Sequence, residues 1–356
     1  GGAGGFGGGG GGGGNVGGGV GFRPRGSGEL GGFGGGQGGF GGWVYGGGLH
    51  GGGGGGAGLG GGVFNHGGVV IASNSTFSGN SVQGGAGGES GGSGAEAGTP
   101  GSGLGGGLFN LNGSVTLTNT TFAQNTAAGG GAIYNLSHEE THGVSVSNAE
   151  LLLINNVIAD SGTTDVVNMQ RFANATVDAT APNIVESGID NAGGLVTGTP
   201  LTVDPQLGAL ADNSGPTNTH LPNVNSPAID TGDNSLVPLH PLGFSFLPSA
   251  DQRNLLRIVD GDLDDTATVD LGAVEVGATA LPAIEIDEFE HALLQVTVDF
   301  GEGPVDLTLE GSTTHVTIFD GPHLGDADDY NDDENSLDEV TTYFFGTFAG
   351  YFDDIG

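Results

Sequence analysis

The sequence contains no cysteine and no lysine, and only one methionine and one tryptophan in 356 residues. Without thiols there are no disulfides or thiolate metal sites, so a cation could be held only by carboxylates, carbonyls or imidazoles. Positive charge is confined to Arg23, Arg25, Arg171, Arg253 and Arg257, against 41 acids, for a formal net charge of −36. A field of that sign repels phosphate backbones and anionic membranes, which excludes nucleic acid as a partner and favours divalent cations and high salt. No run of 18 apolar residues and no basic-then-apolar leader occurs. The segment is therefore expected neither to insert into a membrane nor to carry its own signal peptide, and it can be a processed piece of a longer precursor. Long apolar stripes of helical period are missing too, so a helix-rich globule is excluded. What is abundant is glycine: 81 residues, 40 of them among the first 62, with 14 prolines and no strict Gly-X-Y period. Collagen is excluded, and the remaining expectation is a β-rich, turn-rich chain.

An internal repeat organises the middle. Residues 58–85 (GLGGGVFNHGGVVIASNSTFSGNSVQGG) and 103–130 (GLGGGLFNLNGSVTLTNTTFAQNTAAGG) align without a gap at an offset of 45. Phe64 falls on Phe109, Asn74 on Asn119, Phe77 on Phe122 and Asn80 on Asn125. A third, weaker copy starts at Gly130 and runs through Tyr134-Asn135 to Ile158, with Asn155 in the Asn119 slot. Short alternating runs such as Val115-Thr116-Leu117-Thr118 suit strands of three or four residues, and the Gly and Asn between them suit corners. One such unit cannot bury its apolar face, whereas stacked units can. The expected core and ladder places Phe77 over Phe122 inside and Asn74 over Asn119 at a corner, each amide bonding to the next, with Asn80 and Asn125 at equivalent positions. The stretch 86–102 reads as a Gly/Ser-rich excursion between coils that adds no core.

These residues carry a family resemblance. Gly-Gly-Ala-Ile at 130–133 and Phe-x-x-Asn at Phe77–Asn80 and Phe122–Asn125 resemble the short repeats of right-handed parallel β-helix surface proteins, including chlamydial polymorphic outer-membrane adhesins. Further on come Asp204-Pro205-Gln206-Leu207-Gly208-Ala209-Leu210, Asn213-Ser214-Gly215-Pro216-Thr217, Ser226-Pro227-Ala228-Ile229-Asp230-Thr231-Gly232, Asp251-Gln252-Arg253 and Asp270-Leu271-Gly272-Ala273-Val274-Glu275. This series resembles the choice-of-anchor Q domain found at the C-terminal end of such β-helices in large secreted bacterial proteins. The resemblance covers about 58–276 and implies an extracellular, surface-linked, right-handed β-helix, and no reaction. The chain departs from that pattern in the apolar insertion at 236–249 and in the segment after 280, where an anchor would be expected.

The expected fold class is thus all-β, a right-handed parallel β-helix (solenoid). Its parts are a Gly-rich tract at 1–57, coils at 58–200, a choice-of-anchor-Q-like end of the solenoid at 201–280, and an acidic antiparallel β domain at 281–356. In that last part, alternation at 294–298, 305–309 and 315–318 predicts three strands. Its end carries Tyr343, Phe344, Phe345, Phe348, Tyr351 and Phe352, either as the domain's last strand or as a strand that completes a neighbouring subunit. The Gly tract is either a flexible linker or a set of packed, three-residue-per-turn extended helices related to polyproline II. Phe6, Phe22, Phe33, Phe40, Trp43 and Tyr45 punctuate it and could anchor it on a coil flank or on another subunit.

Chemistry-bearing patterns are few. His138-Glu139-Glu140-Thr141-His142 fits HExxH literally, but it runs into Gly143 with no apolar helix to place both imidazoles on one face, so it reads as a polar loop. Asp260, Asp262 and Asp264 alternate and Asp270 could close the loop, which is a Ca²⁺-wrapping spacing without the glycine and glutamate of an EF-hand. Asp326, Asp328, Asp329, Asp332 and Asp333 form a second cluster. Each reads either as a Ca²⁺ loop or as a solvated acidic turn. Asp160 and Asp165 are the one close acid pair on the coils, too little for a polysaccharide lyase or hydrolase with no set of basic residues to hold an anionic sugar. The expectation is a secreted, non-enzymatic cell-surface protein. Self-association into a fibre through the Gly tract and C-terminal strand stands beside binding of other surface components or glycans.

Overall fold

The 45-residue offset becomes a strand register. In the computed structural model, Val63–His66 pairs in parallel with Leu108–Leu111, and Val69–Ser78 with Ser114–Ala123, so that Phe64 faces Phe109 and Phe77 faces Phe122. The structure describes residues 3–4, 6–13, 27–42, 49–92, 94–139, 148–162, 164–237 and 249–279, and beyond these the backbone of four strands between 292 and 342. The chain divides into two compact units, Gly1–Leu281 and Pro282–Gly356.

The first unit is built rung by rung. The first rung holds β1 (Gly58–Leu59), β2 (Val63–His66) and β3 (Val69–Ser78). The second holds β4 (Gly103–Leu104), β5 (Leu108–Leu111) and β6 (Ser114–Ala123). The third holds β7 (Ile133–Ser137), β8 (Ala149–Ile154) and β9 (Asn156–Ala159). The fourth holds β10 (Val166–Gln170), β11 (Ala175–Ala179) and β12 (Asn183–Val185), and the last β13 (Ile189–Ala192) and β14 (Leu195–Gly198). All pair in parallel, in a five-stranded sheet ordered β13-β10-β7-β5-β2 and a seven-stranded one built on β3, β6, β8, β9, β11, β12 and β14. Among the described residues the only helical element is a 3₁₀ turn at Asn234–Leu236. The fold is all-β with parallel sheets.

Period-two alternation decides which face each residue serves. Leu108, Ile133, Val166, Val115, Leu151, Val177, Phe122 and Ile158 point between the sheets and form one buried cluster. Phe77 stacks on Phe122 at 4.4 Å and 13°. The strands β3 and β6 are ten residues long, not three or four, because they continue through a bend. Asn74 and Asn119 sit there at φ 45° and 51°, and Asn155 at 52° separates β8 from β9 at the same place in the third rung. Asparagine tolerates the left-handed region better than other side chains with a Cβ. One residue spent in that conformation also shifts the alternation, so Phe122, odd-numbered relative to Leu117, still points inward.

That bend corrects the expected ladder. Asn80 and Asn125 are bonded, Nδ2 to Oδ1 at 2.9 Å, but Asn74 and Asn119 turn outward. The long ladder lies one residue past the aromatic column, inside the stack. Asn65 donates to Asn110 (2.8 Å), Asn110 to Asn135 (2.7 Å), Asn135 to Asn168 (2.9 Å) and Asn168 to Asn191 (3.1 Å). Asn110 and Asn135 also donate to carbonyls beside them, so these buried amides are satisfied.

Outside the five-stranded sheet lies the glycine. Amide donors recur every third residue: Gly10 to Gly36 and Gly13 to Gly39; Gly51 to Gly13 and Gly54 to Gly10; Gly52 to Glu96 and Gly55 to Thr99; Gly85 to Gly56 and Gly88 to Gly53. Segments 8–13, 27–32, 35–42, 49–57, 83–91 and 94–102 thus bond side by side with the three-residue period of extended, polyproline-II-type chains. The bundle includes 83–102, so that stretch is not an idle excursion. The Gly54 position is instructive, because a Cβ there would lie 2.0 Å from the Gly36 oxygen. Only glycine lets the backbones come this close.

In the second unit, β15 (Ala292–Asp299), β16 (Pro304–Ser312), β17 (His315–Phe319) and β18 (Val340–Thr342) form an antiparallel sheet in chain order. The first three fall on the alternating runs of the sequence.

Candidate functional site

Two outer surfaces of the parallel sheets are covered. On the five-stranded sheet, Phe109, Leu111, Tyr134, Leu136 and Val167 pack against Phe6 and Phe33 of the glycine tract and against Leu59 of β1. Phe6 stacks on Phe33 at 5.6 Å, and the Arg171 guanidinium sits 5.2 Å over the Phe33 ring. Burial under this layer pushes the Tyr134 hydroxyl up to about 12. Phe6 and Phe33 are therefore used within the chain, while Phe40 is 45% exposed; Phe22, Trp43 and Tyr45 lie outside the described residues.

Beyond the bend, the outer face of β6, β9 and β12 is covered by residues from 201–237 and 249–279. Val157, Ala159 and Ile184 bury against Ala228 and Leu271. Polar contacts fix the register. Thr76 Oγ1 donates to Gln252 Oε1, Ser78 meets His220 Nε2 at 2.8 Å, and the Ala273 N–H donates to Thr121 Oγ1. The corner asparagines receive this segment. Asn74 Nδ2 donates to the Ala250 carbonyl, and Asn155 donates to the Asp233 carbonyl and accepts from its N–H. The Asn119 oxygen, set toward the guanidinium, accepts from Arg257 Nε at 2.7 Å.

Arg257 is the centre of a buried ionic network that the sequence reading missed. It is 2% exposed, donates to the Gly272 carbonyl and faces Glu275 Oε2 at 4.0 Å. Glu275 accepts from the N–H groups of Ile258, Val259 and Asp270, and Asp251 pairs with Arg253 at 2.8 Å. Three carboxylates (Asp251, Asp270, Glu275) meet two guanidiniums, which leaves one negative charge uncompensated. Burial pushes Asp270 up to about 6; burial and then the charge of Asp270 push Glu275 up to about 7. Motif residues Asp251, Arg253, Asp270 and Glu275 were legible as a pattern; Arg257, lying outside that pattern, was not.

Asp270 is turned into this buried network and is not grouped with Asp260 and Asp262. Its carboxylate accepts from the N–H groups of Asp230 and Val276. Asp264 is exposed, and its carboxylate accepts from Thr266. The acid that joins Asp260 and Asp262 is Asp230: one oxygen from each of the three lies within 4.8 Å of the others. Asp230 Oδ2 accepts from Gly261 and Asp262, whereas its buried Oδ1 has no partner. Burial, with the charges of Asp262 and Asp260, raises the Asp230 pKa. A hard divalent cation would relieve all three, so the donor set fits one. The cluster Asp326, Asp328, Asp329, Asp332 and Asp333 and the aromatic residues Tyr343, Phe344, Phe345, Phe348, Tyr351 and Phe352 lie outside the described residues.

Asp165 is buried and fully engaged, accepting from Ser161 and from both the N–H and hydroxyl of Ser187; it forms no open acid pair with exposed Asp160. Of the HExxH string, His138 packs edge-on to Phe6 and Phe33, and its Nδ1 lies 2.7 Å from the Glu139 carbonyl; 140–147 lie outside the described residues. A shallow groove of about 450 Å³ runs over Gly67, Asn112, Gly113, Asn148 and Glu150, with Glu150 as the acid lining it.

Comparison with protein-family models, with curated proteins and with solved structures found no match in any of the three.

Proposed function

We propose that this chain is a secreted, cell-surface structural protein, a right-handed parallel β-helix that serves as the subunit of an extracellular fibre. One observation carries the reading: five rungs of parallel strands stay in register over a continuous asparagine ladder. Such a stack is stabilised by neighbour-to-neighbour contacts and is quasi-one-dimensional, the architecture of a rod. Its buried asparagines form the ladders, and its corner asparagines dock an outer layer. A Ca²⁺ ion held by Asp230, Asp260 and Asp262 would fasten the 201–279 layer by joining Asp230 to the acidic loop.

The test is imaging of the purified full chain by negative stain at moderate salt. Fibres are expected. Uniform monomers that bind cells or glycans without associating would replace this reading with that of a monomeric adhesin, and release of oligosaccharides from a glycan panel would replace it with an enzyme.

A further inference from the structure

We infer that the stack binds a second copy of this chain end to end, the β13–β14 end of one copy adding onto the β2–β3 end of the next. The inference rests on the fibre reading above and names its joint. Three observations converge on it.

The strands at each end have one open edge. Each of β2 and β3 pairs only with the second rung, and each of β13 and β14 only with the fourth. Among the described residues, no backbone–backbone bond reaches the outer edges of β3, β13 or β14, or of β2 over Val63–Asn65. β2 and β13 are both four residues long, and the four residues of β14 match the first part of ten-residue β3; parallel edges of the same polarity are templates for another strand.

The asparagine ladder ends in complementary vacancies. Asn65, Asn110, Asn135 and Asn168 each donate both to a carbonyl beside them and to the next asparagine's Oδ1. Asn191 donates to Gly194 and to no further rung. At the other end, Asn65 is the one ladder asparagine whose Oδ1 receives no amide from a rung before it. A copy translated along the stack brings Asn191 Nδ2 to Asn65 Oδ1 with the polarity every internal rung already has.

The interior columns end in matching apolar side chains. Val63 and Ile189 are the ends of the Leu108–Ile133–Val166 column, and Val70 and Val196 the ends of the Val115–Leu151–Val177 column. All four are only partly buried. Stacking would complete both columns. The contact is heterologous, one end against the other, so it propagates rather than closing as a symmetric dimer.

A net charge of −36 on each copy opposes association. At 1 M salt the screening length falls to roughly 3 Å, so stacking is expected to strengthen with ionic strength.

The experiment uses the full chain in sedimentation at rising concentration and at about 0.1 M and 1 M NaCl. Growing species without a dimer plateau, favoured by salt, are expected. Asn191→Asp keeps the acceptor for Asn168, removes the free donor and adds charge opposite Asn65 Oδ1; it should weaken association at least tenfold. A second measurement does not depend on that residue. The chain has no cysteine, and exposed Val69 and Leu195 end one column, so Val69→Cys with Leu195→Cys should give a ladder of disulfide-linked oligomers under oxidation. Each single variant sets its thiol opposite an aliphatic side chain at the joint and should give no disulfide-linked ladder. Fibres that form undiminished in Asn191→Asp, with no ladder from the cysteine pair, would overturn this joint and leave the fibre reading standing. A chain monomeric under every condition overturns both.

Discussion

The glycine bundle makes a sharp demand on neighbouring positions. At Gly54 an added methyl would meet the Gly36 oxygen at 2.0 Å and its carbon at 2.4 Å, whereas at Gly53 the nearest atom is the Gly10 oxygen at 3.7 Å. A Cβ needs about 3.0 Å or more, so Gly54→Ala must push its segment more than 1 Å from 35–42. The bonds Gly54 to Gly10 (2.7 Å) and Gly36 to Gly55 (2.8 Å) would then stretch past hydrogen-bonding range. Two N–H groups left unpaired, that of Gly36 buried and that of Gly54 half-buried, cost about 1–3 kcal/mol each, so a loss of roughly 2–6 kcal/mol is expected. Gly53→Ala fits without contact and restricts the unfolded chain, for a gain of about 0.4–1 kcal/mol. Gly52 and Gly56 repeat the contrast, at 1.8 Å from the Gly88 oxygen and 3.4 Å from the Gly7 oxygen. The assay is hydrogen exchange by mass spectrometry on the full-length variants. Gly54→Ala should lose protection across 8–13, 35–42 and 49–57 while peptides from β5, β7 and β10 keep theirs. Equal protection in Gly53→Ala and Gly54→Ala would refute the three-residue packing.

Asn135→Leu strands the donor of Asn110 and the acceptor of Asn168, and should lower urea stability by about 2–5 kcal/mol. Arg257→Met leaves buried carboxylates without their cation and should cost about 3–5 kcal/mol, read as rapid proteolysis within 201–279. Asp270 and Glu275 have raised folded-state pKa values, so the stability they contribute is full below about pH 4 and lost as pH rises through 6 and 7. For Glu275 the shift from 4.5 to about 7 corresponds to roughly 3 kcal/mol, so melting should be higher at pH 5 than at pH 8, with the difference reduced in Glu275→Gln. Calcium should raise the melting temperature of the native chain and not of Asp230→Asn; a shift below one degree with and without chelator would leave the three acids as solvated surface.

The parallel stacking was legible because the 45-residue repeat is gapless, and a gapless repeat is a register: Phe77 on Phe122 in sequence is Phe77 on Phe122 in space. The corner asparagines were found but given the wrong partners. A repeated Asn marks a position and not the direction of its side chain, and the left-handed φ that turns Asn119 outward is invisible in the letters. The inner ladder had its own signal, Phe64-Asn65, Phe109-Asn110 and Tyr134-Asn135, hidden only by the shorter offsets of the later rungs. Part of the bundle was also legible: Gln37-Gly-Gly-Phe40-Gly-Gly and Gln83-Gly-Gly-Ala86-Gly-Gly-Glu89 have the period of three in which every third residue can carry a side chain. The Arg257 network was not legible, because it joins residues from 119 to 275 through tertiary packing alone.

The same network bears on the charge imbalance. All three arginines among the described residues lie where one layer meets another: Arg171 over Phe33 between bundle and sheet, Arg253 and Arg257 between the sheets and the 201–279 layer. Guanidinium suits such places, since it stacks on rings, donates in a fixed fork and stays charged when buried. With Arg253 and Arg257 used as internal fasteners and no lysine in the sequence, the charge of the described surface is mostly of one sign. Lateral contact between copies is then opposed along the whole length of the stack, whereas an end contact brings together a small area whose asparagine and valine columns carry no charge. In a medium rich in salt the lateral repulsion survives only where charged surfaces approach within a few ångströms, and the end contact is relieved of the net-charge repulsion that opposes it. On the fibre reading, a strongly acidic coat would therefore favour growth along the stack over sideways clumping.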